Sequence, residues 1–132
     1  MPTIRTQIMN ALSGAANAVR GLRYSRNTEL GRAMFDVEEN ATLEYGQVLV
    51  TSAFQILSII DIQQDAGAEM DTELASIVAA VLSEQATRDL RRGLTYTGTV
   101  YEYPDAGSNK AALSVGFTVT YSYSPVNPSI QD

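Results

Sequence analysis

The sequence predicts an α+β domain: a mostly antiparallel four-stranded sheet with two helices packed on one face, in the order α-β-β-α-β-β. Three observations predict this fold. Residues 111–123 alternate apolar and small polar side chains, two other stretches carry apolar side chains at helical spacing, and each of these stretches precedes a pair of strand-like segments. The 132 residues suit one domain, which we assign to residues 1–124, followed by an extended tail at 125–132.

The first helix is predicted from Ile4, because apolar side chains recur every three or four residues from there to Leu22. Thr3 is its expected N-cap, and Gly21 is its expected end.

The second helix is predicted over residues 71–90, with Asp71 as its N-cap and Gly93 as the residue that follows its end. Three arginines then fall near its C-terminus, where cations suit the helix dipole. They are Arg88, Arg91 and Arg92.

Four segments have strand character. The second is apolar on both faces, so we expect the helices to cover one face and a partner subunit to cover the other. The fourth is long, because at roughly 3.3 Å per residue it would span roughly 43 Å. Typical strands are much shorter, so we expect its end from Tyr121 onward to leave the domain and reach a neighbour. A polar loop is predicted at 39–46 and a turn at 104–109. The predicted strands are 32–38, 47–63, 94–103 and 111–123.

Composition excludes several classes of function. The chain has no cysteine and no histidine, so thiolate metal sites, disulfides and histidine-dependent catalytic triads are impossible. The formal net charge of -6 argues against non-specific binding to a phosphate backbone. We find no membrane helix and no signal peptide, so we expect a soluble protein made in the cytoplasm.

The densest acidic cluster is Asp36, Glu38 and Glu39. Asp36 and Glu38 should share one face of the first strand, which would permit a metal site or a carboxylate dyad. An exposed strand end or an interface patch is favoured, because no third ligand lies nearby. We therefore predict no catalytic residue, no cofactor and no metal, and we do not expect an enzyme.

Tyrosines cluster on the last two strands. Stacking on nucleic-acid bases would need interleaved cations, so we favour core and interface roles. The tyrosines are Tyr96, Tyr101, Tyr103, Tyr121 and Tyr123.

The order of the segments resembles the tail-terminator proteins of tailed bacteriophages, also called tail-completion or minor tail proteins. The resemblance covers nearly the whole chain. It rests on three features. The first is an N-terminal helix followed by a short strand with acidic residues, and the second is a long apolar strand that precedes a helix. The third is a threonine-rich strand and an acidic turn, which precede a strand that ends in V-T-Y. The segments are residues 35–39, 47–63, 71–90, 94–99, 105–107 and 119–121.

The resemblance implies a structural virion protein at the tail-neck junction, assembled in the host cytoplasm. Such a protein forms a homohexameric ring that caps the tail tube, stops its polymerisation and joins head or neck proteins. Its partners would be itself, the tube protein, a neck or connector protein and, in a contractile tail, the sheath protein. DNA would pass through an acidic channel without specific binding, and no membrane partner is expected.

Two groups of residues are candidate contacts in such a ring. Contacts to the tube or neck are predicted in the polar loop and the polar turn, at Glu39, Asn40, Thr42, Glu44, Tyr45, Asp105, Asn109 and Lys110. Contacts between subunits are predicted at Arg20, Arg23, Arg26, Arg88, Arg91, Arg92 and Tyr123.

Two other functions remain open at this point. One is a head-tail connector or neck-completion protein. The other, from a different class, is a small binding module that adds a partner's strand to its sheet edge.

Overall fold

The computed structural model describes residues 2–20 and 31–131. The strands in this part of the chain form one sheet in the order β1-β2-β3-β5-β4. Neighbouring strands are antiparallel except β1, which pairs in parallel with β2. The elements are α1 (Ile4–Ala15), β1 (Val19–Arg20), β2 (Gly31–Glu44), β3 (Gln47–Asp61), α2 (Ala66–Leu82), a 3-10 turn (Arg88–Leu90), β4 (Arg91–Glu102) and β5 (Lys110–Tyr123).

The α+β class and the two helices are therefore confirmed, but the sheet has five described strands and not the predicted four. The missed strand is β1, which contributes two residue pairs, Val19 with Ala33 and Arg20 with Met34. A segment of two residues has no measurable hydrophobic period, so its pairing could not be seen in the sequence.

One face of the sheet is buried under the helices and forms the core. Phe54 and Phe117 are cross-strand partners on β3 and β5, and their rings stack with centroids 5.4 Å apart. Every second residue of β5 from Ala111 to Tyr121 is 0–1 % exposed. Helix residues such as Ile8 and Ile77 complete the same cluster. We call this side of the sheet the covered face.

The other side, which we call the open face, carries the alternate residues of each strand. On β3 these include Leu49, Leu57 and Ile59, and on β5 they include Thr118 and Thr120, all of them partly exposed. No helix in the described part of the chain packs on this face. β3 is therefore apolar on both sides, as predicted, but only one side has a cover.

The boundaries of the helices differ from the predicted ones, except at the start of α1, where Thr3 is the N-cap as predicted. The Thr3 hydroxyl accepts a hydrogen bond from the Thr6 N–H at 3.1 Å and confirms this N-cap. Helix α1 ends at Ala15, and Asn17 follows with a φ of 53°, so the helix stops well before Gly21, which lies outside the described residues.

The N-cap of helix α2 lies six residues before the predicted N-cap Asp71. Asp65 is the cap, and its carboxylate accepts from the Ala68 N–H at 3.3 Å. Glu69 in the first turn reaches back and accepts from the backbone N–H groups of residues 63–65 at 2.8–2.9 Å. This reciprocal capping fixes the start of the helix, and Gly67 is tolerated in its first turn.

Helix α2 also ends earlier than predicted, at Leu82, because Glu84 organises the chain that follows. Its carboxylate accepts from the Thr87 N–H at 3.1 Å and from Arg91 Nη1 at 2.6 Å. The predicted helical end at 83–90 is therefore a turn. Gly93 does not terminate a helix but lies in β4 opposite Thr120.

The segment 39–46, predicted to be a loop, is mostly strand. β2 continues to Glu44 and pairs with β3 as far as Gln47. The connection is a two-residue turn, Tyr45 and Gly46, with φ values of 50° and 77°, which match the left-handed turns that favour hairpins. The segment looked like a loop because both of its faces are exposed, so it has no hydrophobic alternation.

The C-terminal part of the chain stays on the domain. Tyr121 is fully buried and Tyr123 packs against the core, so the expectation that the chain leaves the domain from Tyr121 onward was wrong. Residues 125–131 turn back instead of running extended. The Ile4 N–H donates to the Pro128 carbonyl at 2.9 Å, and the Ser124 N–H donates to the Ile130 carbonyl at 2.7 Å.

Candidate assembly surfaces

The predicted contact residues at 39–46 lie mostly at the end of the β2–β3 hairpin. Asn40, Thr42 and Glu44 are exposed, and Tyr45 at the turn is fully exposed. The neighbouring Leu43, which is not among the predicted contacts, is 70 % exposed. An apolar side chain between polar ones in a supposed loop was the signal that could have found it.

Glu39 is the exception in this group, because its carboxylate points into the protein. Oε1 accepts hydrogen bonds from Arg5 Nε at 2.8 Å, Ser52 Oγ at 2.8 Å and the Tyr121 hydroxyl at 3.2 Å. Burial alone would favour the protonated acid, but these donors hold the pKa of Glu39 below its usual range. Burial also raises the pKa of Tyr121 to about 12. In this structure Glu39 therefore anchors the hairpin to α1.

A bulge in β2 separates the acidic residues that were expected to share a face. The register shifts between Asp36 and Glu38, so Asp36 pairs with Phe54 on the covered face and Glu38 pairs with Ala53 on the open face. The prediction that Asp36 and Glu38 share one face was wrong. The carboxylates that come together are those of Asp36 and Glu39, and Arg5 bridges them at 2.9 and 2.8 Å.

The predicted contacts at 104–110 lie at the opposite end of the sheet. Asp105, Asn109 and Lys110 are exposed, and the Asp105 carbonyl accepts from the Ser108 N–H at 2.9 Å. Lys110 pairs in register with Asp61, whereas Tyr123 at the other end of β5 pairs with Val48 near the hairpin turn. The two predicted contact regions are thus separated by the full length of the β3–β5 ladder.

The arginines predicted at subunit contacts occupy different environments. Arg20 lies 3.4 Å from Asp36 and donates to the Asn10 side chain at 3.1 Å. Arg91 is buried in an ion pair with Glu84, with side chains 7 % and 5 % exposed. Burial would raise the pKa of Glu84, but hydrogen bonds from Thr87 and Arg91 lower it below its usual range. Arg23 and Arg26 lie outside the described residues.

Arg88 and Arg92 are exposed and have no carboxylate partner in the described part of the chain. Arg88 Nη1 lies 3.5 Å from the Gln85 side-chain oxygen. Arg92 Nη2 reaches Gln47 Oε1 at 3.3 Å and Ser122 Oγ at 3.5 Å, which places it on the open face. Their charges are available to another molecule.

Both edges of the sheet are open over most of their length. β1 covers β2 only at Ala33 and Met34, and no other described strand pairs with the outer edge of β2 at 35–44. No described strand pairs with the outer edge of β4 either. Bulges at Arg92 and Thr97 interrupt that edge. Open edges offer unpaired backbone N–H and C=O groups to a partner strand.

Chemical sites are not apparent in the residues that the structure describes. Among them, no group of three or more aspartates and glutamates is placed to hold a metal ion. Within the same ranges, no helix is long and apolar enough to cross a membrane.

Comparisons with known proteins give likenesses among solved structures alone. No family model matches the sequence, and no curated protein matches it. A solved structure described as "Virion of native gene transfer agent (GTA) particle" contains a chain that is 14 % identical to this one, with a TM-score of 0.46. The match covers 91 % of this chain and 92 % of that chain.

Proposed function

We propose that this chain is a structural virion protein that forms a ring on the end of a tail tube, stops tube polymerisation and joins the tail to head or neck proteins. The resemblance of its segments to tail terminators supports this role. The structural observation that supports it most is the placement of the two predicted contact regions at opposite ends of one long sheet.

The β3–β5 ladder runs from the Val48–Tyr123 pair to the Asp61–Lys110 pair. At about 3.3 Å per residue this ladder is roughly 43 Å long. A ring of subunits with parallel ladders would have two distinct rims, one bearing Tyr45 and one bearing Lys110. One rim would contact the tube and the other the neck, which suits a protein that joins two different assemblies.

The charge of the chain fits the passage of DNA through such a ring. Each copy has a formal net charge of -6, and a ring of acidic subunits repels the phosphate backbone. This repulsion lets DNA slide past the wall without specific binding. The same charge keeps free subunits soluble until they meet the tube.

Deletion of the gene in the particle-producing strain tests this role. We expect tails of uncontrolled length and free heads, with both defects restored by the wild-type gene. Two variants separate the rims: Y45S alters the hairpin rim, and D105N/K110S alters the turn rim. One variant should lose control of tube length while the other should fail in head joining. Normal tails in the deletion strain would rule the proposal out.

The position of the chain in intact particles distinguishes a terminator from a connector or neck-completion protein. Electron cryomicroscopy of particles carrying a labelled chain should show a ring directly on the last tube layer. A ring bound to the head portal and separated from the tube would assign the connector role instead.

The open edges of β2 and β4 favour one second candidate, a binding module that acts by strand addition. Such a module would remain a monomer or dimer and would capture one extended peptide. Native mass spectrometry of the purified chain separates the candidates, because the terminator role predicts a hexamer.

A further inference from the structure

We propose that copies of this chain join edge to edge, with β4 of one copy pairing antiparallel to β2 of the next and with Arg92 level with residues 40–41, between the acidic residues Glu38 and Glu44. This contact rests on the proposed function, which requires self-assembly. It names the strands, the faces and the charges that hold neighbouring subunits together.

The directions of the edge strands support this pairing. β2 is antiparallel to β3, β3 is antiparallel to β5, and β5 is antiparallel to β4. The two outer strands therefore run in opposite directions. When a rotation places identical copies side by side, β4 of one meets β2 of the next as antiparallel neighbours, which extends the pattern of the sheet across the contact.

The open stretches also lie at the same height in the sheet. Ala41, Val50, Tyr121 and Arg91 are successive register partners from one edge to the other. The start of β4 is therefore level with the unpaired part of β2 at 35–44. Copies related by rotation about an axis along the strands can meet at these stretches without sliding.

The charges on the open face are complementary across this contact. Glu38 and Glu44 pair in register with Ala53 and Gln47, which places both glutamates on the open face of β2. Arg92 lies on the same face of β4, where it contacts Gln47 and Ser122. Neither these glutamates nor Arg92 forms an ion pair within the described residues, whereas Arg5, Arg20, Arg32 and Arg91 all do.

The same charges disfavour symmetric alternatives. If β2 paired with β2 of a second copy, Glu38 and Glu44 would face further glutamates. If β4 paired with β4 about its start, Arg92 would face Arg92 of the second copy. Like charges opposite each other destabilise strand pairs, so the head-to-tail pairing is the one that the charges favour. Head-to-tail contacts form a ring when the rotation between neighbours closes, whereas a single isologous contact stops at a dimer.

The apolar side chains near both edges agree with a buried contact. Val37 and Leu43 on β2 are 60 % and 70 % exposed, and Tyr96 on β4, which is level with Asp36 in the register, is 36 % exposed. Exposed pairs of charges contribute little by themselves, so the backbone ladder and these side chains would supply most of the affinity. The charges would then select the partner edge.

Charge reversal tests the contact on the purified full chain. We expect R88E/R92E alone and E38R/E44R alone to form no rings at a concentration at which the wild type is fully assembled. In both cases the concentration at half-assembly should rise at least tenfold. K110E/N109D, which also adds negative charge but lies at the far end of the sheet, is the control and should assemble as the wild type does. Native mass spectrometry gives the oligomer masses.

Mixing the two reversed variants is the sharper test. In a ring in which the two variants alternate, two kinds of contact also alternate. One joins the unchanged Arg88 and Arg92 of E38R/E44R to the unchanged Glu38 and Glu44 of R88E/R92E, and the next joins the introduced glutamates to the introduced arginines. Every contact is then complementary, so the equimolar mixture should form rings although neither variant does alone. Failure of the mixture, or assembly of the single variants, would overturn the proposal.

Hydrogen exchange distinguishes strand pairing from another contact that merely involves these charges. Amides in 36–44 and 91–99 should exchange more slowly in wild-type rings than in the folded R88E/R92E monomer. Protection elsewhere with none in these segments would contradict edge pairing. A wild-type chain that stays monomeric at every concentration would contradict it too. If the charge-reversed variants still form rings, this edge contact is ruled out but the terminator role is not, because the deletion strain tests that role separately.

Discussion

The two faces of the sheet differ in the environment of their polar residues. On the covered face, polar groups are buried and paired: Arg32 donates to Glu73 at 2.9 Å, and the buried Ser58 hydroxyl donates to the same carboxylate. On the open face, Thr118 and Thr120 remain partly in water. A buried polar group is costly unless it is satisfied, so substitutions on the two faces should differ sharply in their effect on stability.

Adjacent arginines provide the largest expected difference. Arg91→Ala leaves the buried Glu84 carboxylate without its cation, and we expect a loss of about 3–5 kcal/mol in the free energy of unfolding. Arg92→Ala removes an exposed side chain, and we expect a change within about 0.5 kcal/mol. Urea unfolding of the monomer measures both. Equal losses would show that the two faces do not differ as described.

A pair of leucines on neighbouring strands gives the next largest contrast. Leu113 is fully buried, and Leu113→Ala should cost about 2–5 kcal/mol through lost burial and a cavity. Leu57 lies on the open face beside Ser114, and Leu57→Ala should cost about 1 kcal/mol in the monomer. If urea unfolding gives the same loss for both in assembled protein, another molecule covers the open face there.

The pH dependence of stability gives the smallest contrast. The hydrogen bond from Arg32 outweighs burial and lowers the pKa of Glu73 below its usual range. Its contribution to stability is therefore present above the unfolded pKa of about 4.3 and is lost as the pH falls through the lower folded value.

We expect Glu73→Gln to unfold with a shallower loss of stability in acid than the wild type, as measured by urea unfolding between pH 5 and pH 3. Glu38→Gln removes an exposed carboxylate on the open face and serves as the control, with a profile like that of the wild type. A wild-type slope in Glu73→Gln would mean that the Arg32 contact contributes nothing to folding.

The sequence predicted the covered face well because burial imposes a strict period. The alternation placed the core residues Leu113, Val115, Phe117 and Val119 correctly, whereas the buried Tyr121 of the same strand was wrongly expected to leave the domain. Residues 39–44 were not predicted as a strand, because an edge strand exposed on both sides has no hydrophobic period to detect. Asp36 and Glu38 were also placed on one face, because a bulge of one residue leaves no mark in composition.

The helix boundaries were missed for a different reason. Asp65 and Asp71 are both suitable N-caps in sequence, and only the reach of Glu69 back to residues 63–65 selects Asp65. Partners that meet only on folding also escaped the prediction of the candidate contact residues. Glu39 and Arg91 look like surface charges in the sequence, but their partners Arg5 and Glu84 become neighbours only in the folded chain.

The hydrogen bond between Ile4 and Pro128 has a topological consequence. The first and last described segments lie side by side, near the hairpin end of the sheet, so the path of the chain is almost a closed loop. A short linker between the ends, with a new opening in the exposed turn at 105–108, should give a circular permutant with the same core. Fusions at residues 2 and 131 would emerge near Tyr45, at the hairpin end of the sheet, and fusions at the new opening would emerge at the opposite end.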